Sequence, residues 1–524
     1  MSDSKDKSGN DPSETEGPPP VFKLTNDLLA YIFLMNATRS DRQSIERAAT
    51  TLASSQVCTI WRSVALGYPT LWNCIIDYHG DSLDWIDELL RRSDPSLFDF
   101  GSRVRSVALS EDRLGVLELV FNHSSRLRTF SLQTPTANWE LVRSRFLQKP
   151  APNLEFFNFC VLFDNGRVFR DPLFDNHAPS LRHFHLRRCA VDFTSPVLTL
   201  LTELYVHQIT LLDAAPTVTA WLDLLGEMAF LRRITIIDAI SHAVAQTELP
   251  IIHLVHLEKL SVEGGFHESV TLINQVITPP SCGLRLRCNH AHFGPEQKML
   301  WAMIDKKLDF WEKDAPHRRF IAKLNEKSFA IGNLVDIDSL WEVSKAEELE
   351  YKRILPLDPL LAVSLRSDNS DDAISLFLSL FGLFERTFSA TIYLTLWMDY
   401  SGVNGLEVFR PLVERFRSFV NLKTLGLAND SHSYLFPLLQ DISSPGSVLL
   451  PVLHTVYFVT AFFRRRENLT QVAAFLQSRR EQGFPIQKVD IYESRVDRNL
   501  VLSQLGEVEV KMDDNDSDTD TDGE

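Results

Sequence analysis

No two cysteines stand at Cys-x-x-Cys spacing. Six are scattered over 524 residues, at Cys58, Cys74, Cys160, Cys189, Cys282 and Cys288. Such a distribution suggests neither a disulfide framework nor a zinc ribbon. The opening residues also lack the apolar run of a secretory signal, so the expected setting is a reducing one, cytoplasm or nucleus. Long apolar runs are missing too. The longest, Ala373–Phe384, stops at Glu385-Arg386. It falls short of the roughly 20 residues that cross a bilayer, so it reads as buried core and no membrane partner is expected. Positive charge is in deficit, with 53 Lys and Arg against 69 Asp and Glu, a net charge of −16. That balance opposes nucleic acid and anionic membranes as general partners.

Motifs of catalysis are absent as well. There is no Walker loop, no Gly-x-Gly-x-x-Gly after a strand, no His-Glu-x-x-His and no Gly-x-Ser-x-Gly elbow. The nearest approach to a metal cluster is Cys282, Cys288, His290 and His292. Zinc accepts those atoms, but the spacing is wrong and the residues flank Leu284-Arg285-Leu286, which has the look of a strand. Gly264-Gly265 reads as a turn. No enzyme activity, no metal and no cofactor is expected.

What is present is ample core material: 44% apolar residues and an ordinary 23% charged. The length suits two to four domains or one long repeat array. Residues 1–20 are polar, end in Pro18-Pro19-Pro20 and read as disordered. Then Leu28, Leu29, Ile32 and Phe33 fall at helical spacing, as do Val57, Trp61, Val64 and Ala65. Between them, Asn36–Ser55 is polar and reads as a loop passing into another helix. Asn73–Ile76 suits a short strand, and Ser82–Arg92 a helix with Leu83, Ile86, Leu89 and Leu90 on one face. Helices of about ten residues are marginal alone, so this stretch needs a partner or the rest of the chain to cover it.

The residue order resembles an F-box, the short helical motif that docks onto a Skp-type adaptor in cullin–RING ubiquitin ligases. Leu24, Leu28, Leu29, Ile32 and Phe33 match the family's opening helix. Val57, Cys58, Trp61, Arg62, Ala65 and Leu66 match its Val-Cys-x-x-Trp-Arg segment, and Pro69-Thr70-Leu71-Trp72 looks like the trailing Pro-x-Leu-Trp of fungal F-box proteins. The usual proline after the first leucine is Thr25 here. Threonine can cap the helix through its hydroxyl instead. The resemblance implies an adaptor contact through Leu24, Leu28, Leu29, Ile32, Phe33, Val57, Cys58, Trp61 and Leu66, within a helical domain over 21–95.

From about residue 96 an apolar-x-x-apolar-x-apolar pattern repeats. It occurs at Val104-Val107-Leu109, Leu127-Phe130-Leu132, Leu154-Phe157-Phe159, Leu181-Phe184-Leu186, Leu201-Leu204-Val206, Leu231-Ile234-Ile236 and Leu257-Leu260-Val262, at intervals of 20 to 30 residues. It returns at Leu422-Leu425-Leu427, Leu453-Val456-Phe458 and Ile486-Val489-Ile491, 31 and 33 residues apart. Units of this length, each one strand and a return, bury their apolar edges only by stacking. The pattern resembles the divergent leucine-rich repeats that follow F-boxes in many fungal proteins. Cys160 and Cys189 keep the repeat's usual Asn or Cys after the strand, and the other units do not. The expected fold is α/β, a helical F-box followed by a leucine-rich-repeat-like solenoid over 96–506. An ordinary α/β domain is the plainer alternative.

The stretch 295–372 breaks the pattern and reads as irregular or helical, with helices over Glu296–Trp311 and Glu342–Tyr351, a loop or helix start at Ser367–Asp372, and Ile392-Leu394-Leu396 as a candidate strand just beyond. Residues 507–524 carry nine acids and one lysine and read as a disordered acidic tail. Ser517, Thr519 and Thr521 each precede an acid by three residues and are candidate sites for an acidophilic kinase. His183, His185 and His207 lie among the strands with Arg182, Arg187, Arg232 and Arg233, where core packing, a solvated edge and a recognition face all remain open.

Two functions follow. The resemblance implies the substrate receptor of an SCF-type cullin–RING ligase, with a Skp-type adaptor at the N-terminal helices and an unidentified protein target on the repeats. The alternative is a non-catalytic repeat scaffold outside any ligase, its N-terminal helices capping the open end of the array. A docking motif leaves an apolar face uncovered in the isolated chain, and a cap buries it.

Overall fold

The computed structural model describes residues 24–38, 44–78, 80–101, 111–136, 139–162, 167–209, 215–242, 249–314, 319–333, 361–399, 405–429, 431–443, 448–459, 466–492, 501, 505 and 508–512. The N-terminal segment 1–20, the Val104-Val107-Leu109 unit, the helix expected over Glu342–Tyr351, and Ser517, Thr519 and Thr521 lie outside the described residues. The architecture is α/β: a long, mixed, mostly parallel sheet of 16 strands alternating with helices, an arrangement consistent with leucine-rich-repeat-like stacking. The chain divides into two compact units, Met1–Phe163 with Asp171–Leu181, and Asp164–Arg170 with Arg182–Glu524.

The first unit opens with five helices, α1 (Asn26–Thr38), α2 (Ser44–Ser54), α3 (Thr59–Leu66), α4 (Pro69–Asn73) and α5 (Leu83–Arg92). Four of the five starts have a local cause. The Thr25 hydroxyl accepts the Leu28 N–H at 3.4 Å, so it does cap α1. Cys58 Sγ accepts the Trp61 N–H at 3.5 Å at the start of α3, Pro69 sits at the first turn of α4, and Ser82 Oγ accepts the Trp85 N–H at 3.4 Å ahead of α5. The strand expected at Asn73–Ile76 is replaced by the end of α4 and a turn. Proline favours a helix start, and Trp72 and Ile75, three residues apart, are both buried, a helix-turn rather than a strand spacing. These helices share one core of Leu29, Phe33, Val64, Ala65, Leu71, Trp72 and Leu89.

Strands β1 (Phe98–Gly101), β2 (Leu127–Pro135) and β3 (Phe156–Leu162) then pair in parallel. Phe130 and Leu132 lie opposite Phe157 and Phe159, so the repeated pattern stacks in register. Phe130 packs against Phe146 at 4.6 Å and Phe157 at 5.8 Å. The helices are tied to this sheet through Arg126, which donates to the Leu90 carbonyl at 3.0 Å and the Ser96 carbonyl at 2.9 Å.

The second unit contains β4 (Arg167–Phe169), β5 (His183–Arg187), β6 (Cys189–Val191), β7 (Glu203–His207), β8 (Arg233–Ile237), β9 (Ile252–His253), β10 (Lys259–Gly265), β11 (Val276–Ile277), β12 (Gly283–Asn289), β13 (Arg319–Asn325), β14 (Ser328–Asn333), β15 (Leu361–Arg366), β16 (Tyr393–Asp399), β17 (Thr424–Ala428), β18 (Thr455–Val459), β19 (Lys488–Tyr492) and β20 (Glu509–Met512). Its part of the main sheet runs β5-β7-β8-β10-β12-β15-β14-β13-β16-β17-β18-β19-β20. Strands β4 and β6, and β9 and β11, form two small parallel pairs. Inward residues align from strand to strand: Leu186, Val206, Ile236, Val262, Leu286 and Val363 make one ladder. Leu396, Leu427, Phe458, Ile491 and Met512 make another.

Three expectations for this unit need correction. The stretch 295–372 does hold a helix, Pro295–Asp314, but it also supplies β13, β14 and β15 to the sheet. Strand β14 is antiparallel to both neighbours, with only Glu326 and Lys327 between β13 and β14. A hairpin has no leading leucine and no crossover, so it escapes a repeat pattern. The reading of 507–524 as a disordered tail fails at Glu509–Met512, a strand parallel to β19, and residues 513–524 lie outside the described residues. Val510 and Met512 continue the apolar ladder against Val489 and Ile491, which outweighs the acidic surroundings. Gly264-Gly265, expected as a turn, ends β10, and Gly265 precedes the helix Phe266–Gln275.

Left-handed residues recur just after the strands: Arg188, Gln208, Asp238, His290 and Asn429 have φ between 47° and 56°. Four of these amides donate to the next strand's end, for example Gln208 N to the Ile237 carbonyl at 2.8 Å and Asn429 N to the Val459 carbonyl at 3.0 Å. The chain thus turns away from each strand while extending the hydrogen-bond ladder by one residue. The helix Ser370–Leu383 starts at Asn369, whose side chain accepts the Asp371 N–H at 3.0 Å. With its short extension to Ala390 it is long and apolar enough to cross a membrane by length and composition alone. It buries Ala373, Leu376, Phe377, Leu380 and Phe381, with Phe377 5.9 Å from Phe329 of β14. Its apolar face is therefore a core face.

Candidate functional site

Helix α1 has two apolar faces, and they meet different fates. Leu29, Ala30, Phe33 and Ala37 point into the core. Leu28, Tyr31, Ile32 and Met35 follow at helical spacing on the other side and are 40 to 59% exposed. In α3, Val64 and Ala65 are buried while Ile60 and Leu66 are about half exposed, and Val57 just before it is 61% exposed. The two helices are joined from within: the Phe33 and Trp61 rings lie with centroids 5.1 Å apart. Trp72 Nε1 donates to the Ala65 carbonyl at 2.8 Å, and Arg62 Nε to the Ser55 carbonyl at 3.3 Å.

The residues singled out from the sequence therefore divide. Leu28, Ile32, Val57 and Leu66 are exposed, and Leu29 and Phe33 are core. Leu24 and Trp61 are half-buried against that core. Cys58 is half-buried and serves α3 as its cap. Tyr31, Met35 and Ile60 were not singled out, yet they share the exposed apolar surface. Tyr31 and Met35 stand three and seven residues beyond Leu28, and that spacing was the signal available in the sequence. Among the described residues, seven large apolar side chains, six on these two helices and Val57 just before α3, thus form one exposed apolar surface.

The candidate metal cluster does not assemble. Cys282 and Cys288 stand six residues apart at either end of β12, about 20 Å along an extended chain. Both are buried, and burial pushes the Cys288 thiol up to about 12. His290 pairs with Asp368 at 2.9 Å, and His292 Nδ1 lies 3.0 Å from the His290 carbonyl. Among the described residues no group of three His, Cys, Asp or Glu is placed to hold a metal ion.

The histidines on the strands fall on the outward side of β5 and β7. His183 Nδ1 and His185 Nε2 lie 3.2 and 3.1 Å from the Glu203 carboxylate, which also accepts Arg233 Nε at 3.0 Å. Partial burial pushes the Glu203 carboxyl up, but these three hydrogen bonds outweigh it and hold it well below the usual carboxylate range. The Arg187 guanidinium lies 5.0 Å from the centre of the Tyr205 ring, and Arg232 pairs with Glu258 at 3.2 Å. A small crevice elsewhere, lined by Leu439, Leu450 and Phe475, is filled on one side by Arg479. Among the described residues Arg479 has no carboxylate partner. It donates to the carbonyls of Leu449, Leu450 and Phe484 at 2.7, 2.9 and 3.1 Å, a structural staple between turns.

Comparison of the sequence with protein-family models and with curated proteins gives no match.

Proposed function

We propose that the chain is the substrate-recognition subunit of an SCF-type cullin–RING ubiquitin ligase: an F-box-like helical segment docks a Skp-type adaptor, and a leucine-rich-repeat-like solenoid holds a protein target. The exposed apolar face of α1 and α3 carries this reading. Helices that capped the array would bury that face, whereas docking helices keep it free for a groove on the partner. Fully burying such a side chain is worth about 1.5–3 kcal/mol, so covering this face would contribute to a contact there. The chain then needs no catalytic residue. Its mechanism is proximity, raising the target's effective concentration beside a conjugating enzyme held elsewhere in the assembly.

The test is binding of the purified full chain to a purified Skp-type adaptor, beside a Leu28→Asp/Ile32→Asp variant. Both side chains are exposed, so the variant should fold as the wild type does. Losing two apolar contacts of at least about 1.5 kcal/mol each predicts a weakening of about a hundredfold or more. A folded wild type that does not bind the adaptor would reject the ligase reading and leave the scaffold.

A further inference from the structure

We infer that the outward face of β5, β7, β8, β10 and β12 binds an extended acidic segment of a partner protein. The purpose of that binding rests on the receptor function proposed above; the chemistry of the surface does not.

The five strands pair in parallel and in register, so their outward side chains line up in rows across the sheet. One row runs Arg187, His207, Ile237, Glu263 and Arg287; its neighbour ends Thr235, Ser261 and Arg285. The third places Glu203 beside Arg233 and Lys259. Five cations, Arg187, Arg233, Lys259, Arg285 and Arg287, thus face two carboxylates, which leaves this face at +3 in a chain whose net charge is −16. At the rim, Arg188 Nε donates to Gln208 Oε1 at 3.0 Å, and the Asp238 carboxylate lies within reach of the Arg287 charge.

The two carboxylates are already engaged. Glu203 holds His183, His185 and Arg233, and Glu263 lies 3.5 Å from Arg287. Arg285 is exposed and has no carboxylate partner among the described residues. Charge concentrated against the sign of the whole chain, with one arginine left over, calls for an anionic partner. The Tyr205 ring lies among these groups, 5.0 Å from the Arg187 guanidinium and 5.4 Å from the His185 ring, and holds them on the outward face. Neighbouring strands are about 4.8 Å apart, so five of them span about 19 Å, the length of about six extended residues. A face this small and this weakly charged suits a short acidic peptide. A nucleic acid backbone would meet the repulsion of the remaining acidic surface.

The experiment uses the full chain and a fluorescein-labelled peptide of alternating Asp and Ser, about twelve residues long to exceed the span of the face, read by anisotropy. A Lys-Ser peptide and an oligothymidylate of the same length serve as comparisons. The expected result is binding of the Asp-Ser probe that weakens with salt and at least a tenfold loss of it in Arg285→Glu/Arg287→Glu, with no such loss for the Lys-Ser probe. Both positions are exposed, and an unchanged circular dichroism spectrum checks the fold. The same variant should bind a Skp-type adaptor as the wild type does, so failure of either assay is read separately from the other. No binding at low salt, equal binding by wild type and variant, or equal binding of oligothymidylate would overturn the inference. So would binding seen only after removal of the residues beyond Met512, which would make the chain's own acidic tail the occupant.

Discussion

Phe33 and Trp61 meet with ring centroids 5.1 Å apart and planes tilted by 57°. They stand 28 positions apart in the chain, so this contact holds the two halves of the N-terminal helical segment together. It also separates two roles that the sequence pattern runs together. Phe33 is 2% exposed, and Ile32, its neighbour, is 40% exposed.

Phe33→Ala should therefore destabilise the first unit by about 3–5 kcal/mol, the range for emptying a buried aromatic site. Leu28→Asp should change stability by no more than about 0.5 kcal/mol, as exposed substitutions do. Chemical denaturation of the two variants checks the division. Comparable losses in both would mean that the outer face of α1 is packed rather than free.

The Tyr457 side chain of β18 crosses β17 and its hydroxyl reaches that of Thr395 on β16. It passes over Gly426, where an added Cβ would run into the phenol ring. Gly426 is thus a glycine of close approach. Gly426→Ala should cost about 1–3 kcal/mol, as overpacking does. In a Tyr457→Ala background that cost should vanish, a coupling that a double-mutant cycle by urea denaturation reads directly. Equal penalties in both backgrounds would place the strain elsewhere.

Glu203 ties acid stability to the outward face. Its folded carboxyl titrates below the ordinary value of 4.5, because the hydrogen bonds from His183, His185 and Arg233 outweigh its burial. A depressed carboxylate contributes stability above its unfolded value and loses it as pH falls below that value. Glu203→Gln should therefore lower stability at about pH 6 and flatten the decline between about pH 6 and about pH 3. Thermal melts across that range test it. Parallel profiles for wild type and variant would show that Glu203 does not carry the dependence.

Much of the fold was legible because its signals are local. The recurring leucines mark strands wherever they fall on described residues, since a parallel sheet with one covered face places the same pair of apolar residues at every strand centre. The Thr25 cap was legible for the same reason, being a matter of three residues. The hairpin of β13 and β14 was not. Its strands pair with each other and then with β16 and β15, and nothing in Phe320-Ile321-Ala322 or Phe329-Ala330-Ile331 names those partners. Strand β20 was hidden by its acidic neighbourhood, because composition averages over Val510 and Met512, whose position against β19 decides their state.

The sequence by itself determined the recurring strands and several of the N-terminal helices, where the apolar periodicity lies, and that the chain's charge is negative, because propensity, capping and spacing act over a few residues. Tertiary structure alone decided which apolar face is core and which is surface. Leu28 and Leu29 are the same residue type one position apart. Only the packing of Phe33 against Trp61 and of Trp72 beneath α3 turns one inward and leaves the other in water. The sheet decided the charge pattern in the same way. Arg187, Arg233 and Arg285 are far apart in a net acidic chain, and they share a face because parallel strands in register bring residues of equal position to adjacent places.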